Sequence, residues 1–152
     1  MKLGLCQMPV TASKAENYET MRRYVRDAAA AGCDLIVLPE MWCCPYSNAA
    51  FAEYAEPQGG DTWRLLCKTA QECGIWLVAG SVPERDGDAI YNTCYVFDPQ
   101  GTQQAKHRKV HLFDIDVAGG QRFFESDTLS PGRQYTLVDT PFGKLGVAIC
   151  FD

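Results

Sequence analysis

The sequence lacks any apolar segment of the roughly 18 residues that a membrane-spanning helix requires. Its first ten residues, MKLGLCQMPV, contain neither the apolar core nor the small-residue cleavage site of a secretory signal peptide. It also lacks an excess of positive charge, since the net charge is −5 and basic residues gather only in the short cluster KHRK at 106–109. We therefore expect a cytoplasmic protein that has neither a membrane nor a nucleic acid as its partner.

Cysteines are frequent, but they lack the spacing of a metal site. No CxxC pair occurs, the adjacent Cys43 and Cys44 are poor zinc ligands, and the spacing of Cys67 and Cys73 fits no standard site. Most of the cysteines lie in apolar runs, which is typical of reduced cysteines that are buried as small apolar side chains. A metal-binding or redox protein is therefore the less favoured interpretation. The eight cysteines are at positions 6, 33, 43, 44, 67, 73, 94 and 150.

Composition and hydrophobic periodicity indicate one globular α/β domain over residues 1–152. Apolar residues make up 47% of the chain and charged residues 22%, which excludes a disordered or fibrous protein. A strand over 2–8, a helix over 14–32 capped by Ser13, and a buried strand at DLIVLP predict parallel pairing through a right-handed crossover. The other predicted elements are a helix over 61–73 capped by Asp61 or Thr62, a strand at IWLVAGS, two strands that turn at Asp98–Gly101, an irregular segment over 111–134 and a strand at KLGVAIC in the sheet interior.

Three chemically distinct residues lie at or beside the ends of apolar segments. Glu40 ends DLIVLPE, Lys109 lies in KHRKVHLFD, and Cys150 ends KLGVAIC. A thiol nucleophile, a carboxylate that takes its proton and a cation for an oxyanion are the groups of covalent acyl transfer. The residues alone leave alternatives open. Glu40 could simply begin a surface loop, and Arg108 or Lys106 could serve as the cation as well as Lys109.

These segments resemble the carbon–nitrogen hydrolase (nitrilase) superfamily. The resemblance extends from Met1 to Asp152, and the segments KHRKVHLFDIDVAGG and FFESDTLSPG are most similar to the omega-amidase branch. It implies an α/β fold that forms the N-terminal part of a four-layer αββα sandwich. Members of the superfamily continue well past the cysteine, so we expect the single domain over 1–152 to be incomplete at its C-terminus.

The resemblance also implies roles for individual residues. Glu40 would take the proton of the nucleophile Cys150, and Lys109 would stabilise the oxyanion together with the backbone N–H of Phe151. Glu125, in FFESD, would hold the lysine and assist proton movement, although from its sequence context alone it is a solvated loop residue.

Three further residues near these motifs have competing interpretations. Tyr46, in CCPYSN, resembles a substrate-binding tyrosine, although packing within the loop explains it equally well. His107 and His111 suggest a Cys–His dyad, but the superfamily uses none, and local hydrogen bonds are the better interpretation of both.

The implied reaction is hydrolysis of a carboxamide through a cysteine thioester, with a small-molecule amide and water as partners and without a metal or organic cofactor. The omega-amidase branch implies dicarboxylic acid monoamides such as 2-oxoglutaramate as substrates, and a homodimer or larger assembly. Two alternatives stay open. One is another activity of the superfamily, N-carbamoyl amidase or nitrilase, because all keep the same three residues. The other is an inactive fragment or interaction module, because Cys150 lies two residues from the end of the sequence.

Overall fold

The computed structural model describes all 152 residues as a mixed β-sheet with helices on one face and a β-hairpin on the other. The helices are α1 (Lys14–Ala30), α2 (Asn48–Tyr54) and α3 (Asp61–Cys73), with a 3₁₀ turn at Glu125–Asp127. The strands are β1 (Leu3–Leu5), β2 (Leu35–Val37), β3 (Trp76–Val78), β4 (Val82–Asp86), β5 (Ala89–Phe97), β6 (Gln103–Arg108), β7 (Asp114–Asp116), β8 (Arg122–Phe124), β9 (Thr136–Thr140) and β10 (Gly143–Val147). No helix combines the length and the apolar character needed to cross a membrane.

The main sheet changes from parallel to antiparallel along its width. Strands β1, β2 and β3 are parallel neighbours, with Leu3 opposite Leu35 and Leu35 opposite Trp76. Strand β5 then runs antiparallel to β3 at its C-terminal end, to β4 at its N-terminal end, and to β6. The parallel part arises because α1 and α3 each connect two neighbouring strands, so the carboxyl ends of β2 and β3 lie at the same edge of the sheet.

Alternating side chains give the sheet two apolar faces. Ile36, Leu77 and Phe97 point to the helices and belong to a core cluster of 23 buried residues. Their neighbours on the other face, including Leu35 and Trp76, form a second cluster with the hairpin of β9 and β10. This period of two is the expected pattern for strands that are covered on both faces.

Most of the predicted elements are confirmed, with shorter strands than the sequence indicates. Ser13 caps α1 by accepting a hydrogen bond from the Glu16 backbone N–H, and the helix over 61–73 has the predicted bounds. Its N-cap is Gly60 rather than Asp61 or Thr62, because the carboxylate of Glu56 accepts the Thr62 N–H.

One predicted strand lies elsewhere in the fold than expected. KLGVAIC does not enter the interior of the main sheet. It contributes β10, which pairs only with β9 and lies against the sheet face through Leu145 and Val147. Glycines at 143 and 146 leave this short strand with few apolar side chains to bury.

Candidate active site

Glu40 lies at the carboxyl end of β2, in a turn that is held from β3 and β4. Met41 has a φ of 49°, and its N–H donates to the Ser81 hydroxyl oxygen at 3.1 Å, while the Trp42 indole donates to the Ala79 carbonyl at 3.0 Å. Gly80 packs so closely here that a Cβ atom would lie 2.0 Å from the Pro39 carbonyl oxygen. These contacts fix the backbone from which the Glu40 side chain extends.

Lys109 directly follows β6 and is completely buried. Its backbone N–H donates to the Asn92 carbonyl at 2.9 Å, and its carbonyl accepts from the Gly132 N–H at 2.8 Å. Gly132 packs against Arg108, the residue before Lys109, so closely that a Cβ atom on the glycine would lie 2.0 Å from the Arg108 carbonyl oxygen. The lysine backbone is therefore held from both sides, and its side chain extends to the carboxylates of Glu40 and Glu125.

Two carboxylates share the Lys109 ammonium. Its Nζ lies 3.0 Å from Glu40 Oε1 and 3.0 Å from Glu125 Oε2. Burial disfavours the charged amine, but the hydrogen bonds and charges of the two carboxylates outweigh it and raise the pKa of Lys109. The lysine is therefore a permanent cation in the site.

Glu125 is fully buried, whereas its sequence context alone indicates a solvated loop. It begins the 3₁₀ turn after β8, and its Oε2 accepts the Phe113 N–H at 2.6 Å. The hydroxyl of Tyr46 donates to Glu125 Oε1 and, at 3.4 Å, to Glu40 Oε1. Burial and the hydrogen bond to Glu125 raise the pKa of Tyr46, so this hydroxyl keeps its proton. Tyr46 thus contacts both carboxylates and is itself partly exposed.

Cys150 lies in the turn after β10 and is the only exposed cysteine of the eight. Its φ of 49° places a non-glycine residue in the left-handed region, a conformation that is strained for an L-residue. Although the residue is exposed, partial desolvation of its sulfur raises the pKa of the thiol, and the negative charge of Glu40 raises it further, while Lys109 partly offsets them. The resting group is therefore a thiol, and it needs a base to become a nucleophile.

The surroundings of Cys150 leave space and a free donor for a reacting group. A cavity of about 360 Å³ lies between the hairpin and the open sheet face, and both Glu40 and Cys150 line it among mostly apolar side chains. The backbone N–H of Phe151 has no acceptor within the chain, while its ring packs edge-on against Phe113. The sequence-predicted residues are thus brought to one region of the molecule.

Sequence reasoning missed Asn92, which lies within β5 and is completely buried. Its side-chain Nδ2 donates to Glu40 Oε1 at 2.7 Å. Its Oδ1 is buried with no hydrogen-bond partner, which typically costs about 1–3 kcal/mol of stability. An asparagine inside an apolar strand was the available signal, because a buried amide requires a reason.

The two histidines take no part in a Cys–His dyad. His107 is buried, with Nδ1 3.0 Å from the Thr136 hydroxyl and Nε2 2.8 Å from Asp152 Oδ2. His111 is largely exposed and lies 3.5 Å from the other oxygen of Asp152. The expected local hydrogen bonds are thus present for His107, while His111 lies beside the same carboxylate, and neither ring hydrogen-bonds the Cys150 thiol.

No group of three or more His, Cys, Asp or Glu side chains is arranged to hold a metal ion. All eight cysteines are free thiols, so the chain contains no disulfide. The chemistry that this arrangement can perform by itself is nucleophilic: a thiol, a neighbouring carboxylate, a buried cation and a free backbone donor.

The comparisons with known proteins agree with this arrangement. Residues 2–152 match the family model described as carbon–nitrogen hydrolase. The chain belongs to this family. The α/β fold follows that of Nit3 from Saccharomyces cerevisiae, a member of branch 10 of the nitrilase superfamily, with a TM-score of 0.87 and 35% identity over 99% of this chain and 55% of that one.

Among carbon–nitrogen hydrolases, the sequence is similar to proteins named omega-amidase. It is 48% identical over 151 residues to omega-amidase NIT2 from Danio rerio, covering 99% of this chain and 54% of the relative. It is 45% identical over 155 residues to the chloroplastic omega-amidase from Arabidopsis thaliana, covering 99% of this chain and 42% of the relative. The chain therefore spans about half the length of the relatives it matches.

Proposed function

We propose that this chain carries the reacting groups of an amidase that hydrolyses a carboxamide through a thioester on Cys150. The observation that carries the proposal is the position of Glu40, whose carboxylate contacts the Lys109 ammonium and lines the same cavity as Cys150. A base beside the nucleophile and a cation that contacts the base are what the first step of acyl transfer needs. Membership of the carbon–nitrogen hydrolase family supports the same assignment.

In the first half of the reaction, Glu40 takes the thiol proton and the sulfur attacks the amide carbonyl carbon. The oxyanion that forms is stabilised by the Lys109 ammonium and the free Phe151 N–H, and each such donor typically contributes about 3 kcal/mol to the transition state. The tetrahedral intermediate then collapses, the C–N bond breaks, and the protonated Glu40 gives its proton to the departing ammonia. A thioester remains on Cys150.

In the second half, the Glu40 carboxylate removes a proton from water as the water attacks the thioester carbonyl. The same two donors hold the second oxyanion. The C–S bond breaks, the carboxylic acid leaves, and Cys150 regains its proton from Glu40. Glu125 holds Lys109 in place throughout, and Tyr46 contributes to substrate binding at the partly exposed rim of the site.

For the substrate, we propose monoamides of dicarboxylic acids, such as 2-oxoglutaramate. The support is the similarity to two omega-amidases from a fish and a plant. A single domain over 1–152, a homodimer or larger assembly, a small-molecule amide and water as the reactants, and a cytoplasmic location remain predictions from the sequence.

The test is ammonia release from 2-oxoglutaramate, an aliphatic nitrile and an N-carbamoyl amino acid. It is run on the 152-residue chain and on a chimera that continues with the C-terminal half of the Danio rerio relative. We expect the chimera to prefer 2-oxoglutaramate, and Cys150→Ala to abolish turnover without changing the melting temperature.

Two results would revise the proposal. Preference for the nitrile or the carbamoyl compound would keep the mechanism but contradict the omega-amidase assignment. Retained ammonia release in the Cys150→Ala chimera would contradict the mechanism, because another group would then be the nucleophile.

A further inference from the structure

The two carboxylate oxygens of Glu40 have different surroundings. Oε1 accepts hydrogen bonds from three side chains: Lys109 Nζ at 3.0 Å, Asn92 Nδ2 at 2.7 Å and the Tyr46 hydroxyl at 3.4 Å. All three bonds to this carboxylate end on Oε1, and no nitrogen or hydroxyl of the chain donates a hydrogen bond to Oε2. A carboxylate oxygen accepts about two hydrogen bonds, so Oε1 is saturated and Oε2 is free.

Asn92 determines this asymmetry because it is the shortest contact and is rigidly held. It lies opposite Pro83 in the pairing of β5 with β4, and its own carbonyl accepts the Lys109 backbone N–H. The same residue therefore positions the backbone of the lysine and the side chain of the glutamate. Tyr46, by contrast, is partly exposed and its contact with Glu40 is long.

The buried Oδ1 of Asn92 has no partner, so the side chain is not optimal for folding. An aliphatic side chain of similar volume would leave no orphaned polar atom in β5. The functional role of the Asn92 amide must therefore come from its nitrogen, Nδ2, which donates a hydrogen bond to Glu40.

We infer that Asn92 is a positioning residue that occupies Glu40 Oε1 together with Lys109 and so leaves Oε2 to take the proton of Cys150. This inference rests on the proposed function, in which Glu40 is the base. Without Asn92, the carboxylate can rotate until both of its oxygens face the Lys109 ammonium. It then turns away from the cavity that Glu40 shares with Cys150, and the base and the nucleophile are separated.

The test replaces Asn92 with leucine, which has a similar shape and no polar atoms. Two quantities are measured on the 152-residue chain: the melting temperature, and the pH dependence of iodoacetamide alkylation of Cys150, followed on its own peptide by mass spectrometry. Ammonia release is measured on the chimera. The matched control is Thr93→Val, the next residue of β5, whose hydroxyl donates to the buried carboxylate of Glu84, away from the site.

The expected result is a specific combination of changes in Asn92→Leu. The melting temperature stays within about 3 °C of the wild type. The midpoint of Cys150 alkylation moves to lower pH, because the negative charge of Glu40, which raises the pKa of the thiol, has turned away from it. Ammonia release falls about 100-fold although the thiol ionises more easily, because the proton no longer has an acceptor in place. Thr93→Val changes neither the midpoint nor the rate.

The outcomes separate this inference from the proposed function. An unchanged alkylation midpoint in Asn92→Leu overturns the inference, whatever the amidase activity. If the midpoint is lower in Asn92→Leu but the wild-type chimera releases no ammonia, the positioning role of Asn92 is supported and the proposed amidase activity is contradicted. If Asn92→Leu melts more than about 10 °C lower, Asn92→Ala decides: a midpoint that stays at the wild-type pH overturns the inference, and a lower midpoint supports it.

Discussion

The Nε2 atom of His107 lies 2.8 Å from Oδ2 of Asp152. This contact joins β6, the strand that precedes Lys109, to the turn that contains Cys150. The same carboxylate accepts three backbone N–H groups: that of Ile149 at 2.9 Å on Oδ2, and those of Val110 and His111 at 2.8 and 3.0 Å on Oδ1. One side chain therefore connects the residues that flank the cation with the residues that flank the thiol.

Replacement of Asp152 with asparagine should weaken this connection. An amide nitrogen cannot accept, so the N–H groups on one side of the side chain lose their partner, and we expect a loss of about 2 kcal/mol in the free energy of unfolding. Urea titration measures it. The matched control is Asp139→Asn, which removes an exposed carboxylate and should change stability by less than about 0.5 kcal/mol. Equal effects of the two substitutions would contradict the role of Asp152.

The stability that Asp152 provides should depend on pH in the acid range. Burial opposes ionisation, but the hydrogen bonds from His107 and the backbone lower the pKa of Asp152 to about 2. Because this pKa lies below its value in the unfolded chain, about 3.9, the contribution is complete above pH 5 and is lost as the pH falls toward 2. The difference in unfolding free energy between wild type and Asp152→Asn should therefore shrink from pH 5 to pH 2. A constant difference would contradict this assignment.

Glu40→Gln should make the Cys150 thiol easier to ionise and should abolish the ammonia release that we propose for the chimera. After burial, the charge of Glu40 is the next cause that raises the pKa of this thiol, so its removal lowers the pKa toward the ordinary value of 9.0. Alkylation of Cys150 should accordingly begin at lower pH than in the wild type, where the charge of Glu40 raises the pKa of the thiol. Glu53→Gln, at an exposed position of α2, is the control. A midpoint that rises in Glu40→Gln would show that the carboxylate does not face the thiol.

Loss of the Lys109 charge should be severe, because two carboxylates depend on it. In Lys109→Met, Glu40 and the buried Glu125 face each other without a cation, and we expect a loss of about 3–5 kcal/mol in unfolding free energy. The double substitution Lys109→Met with Glu125→Gln should recover part of that loss. Lys144→Met, which breaks an exposed ion pair, should cost less than about 1 kcal/mol. A double variant no more stable than the single one would contradict the electrostatic explanation.

The sequence indicates those parts of the fold that depend on local patterns. The Ser13 cap, the helix over 61–73 and the position of Glu40 after a buried strand all follow from neighbouring residues. Strand β4 does not, because VPERD contains a proline and three charged residues. It forms nonetheless, since Glu84 is neutralised by Arg108 and Lys106 of β6, a strand of the same sheet.

The sequence predicts those site residues that lie in a recognisable motif. It does not predict those that join the site only through contacts with residues distant in the sequence. Glu125 lies in a segment without regular periodicity and becomes buried only because Lys109 and Tyr46 reach it from distant elements. In the sequence, Asn92 is a polar residue within an apolar strand, and Glu40, to which it donates a hydrogen bond, is 52 residues distant along the chain. No local pattern encodes such a contact.

The close packing of Gly80 and Gly132 limits how this protein can be engineered. Exchange of glycine for alanine is a common route to a more heat-resistant protein, because alanine restricts the unfolded chain. At these two positions the new methyl group would push against the backbone that holds Glu40 and the backbone that leads to Lys109. A mutant library that randomises all thirteen glycines would therefore yield no heat-resistant clones at these two codons. Stabilising substitutions are better placed on the outward faces of α1 and α3, where they do not contact the candidate site.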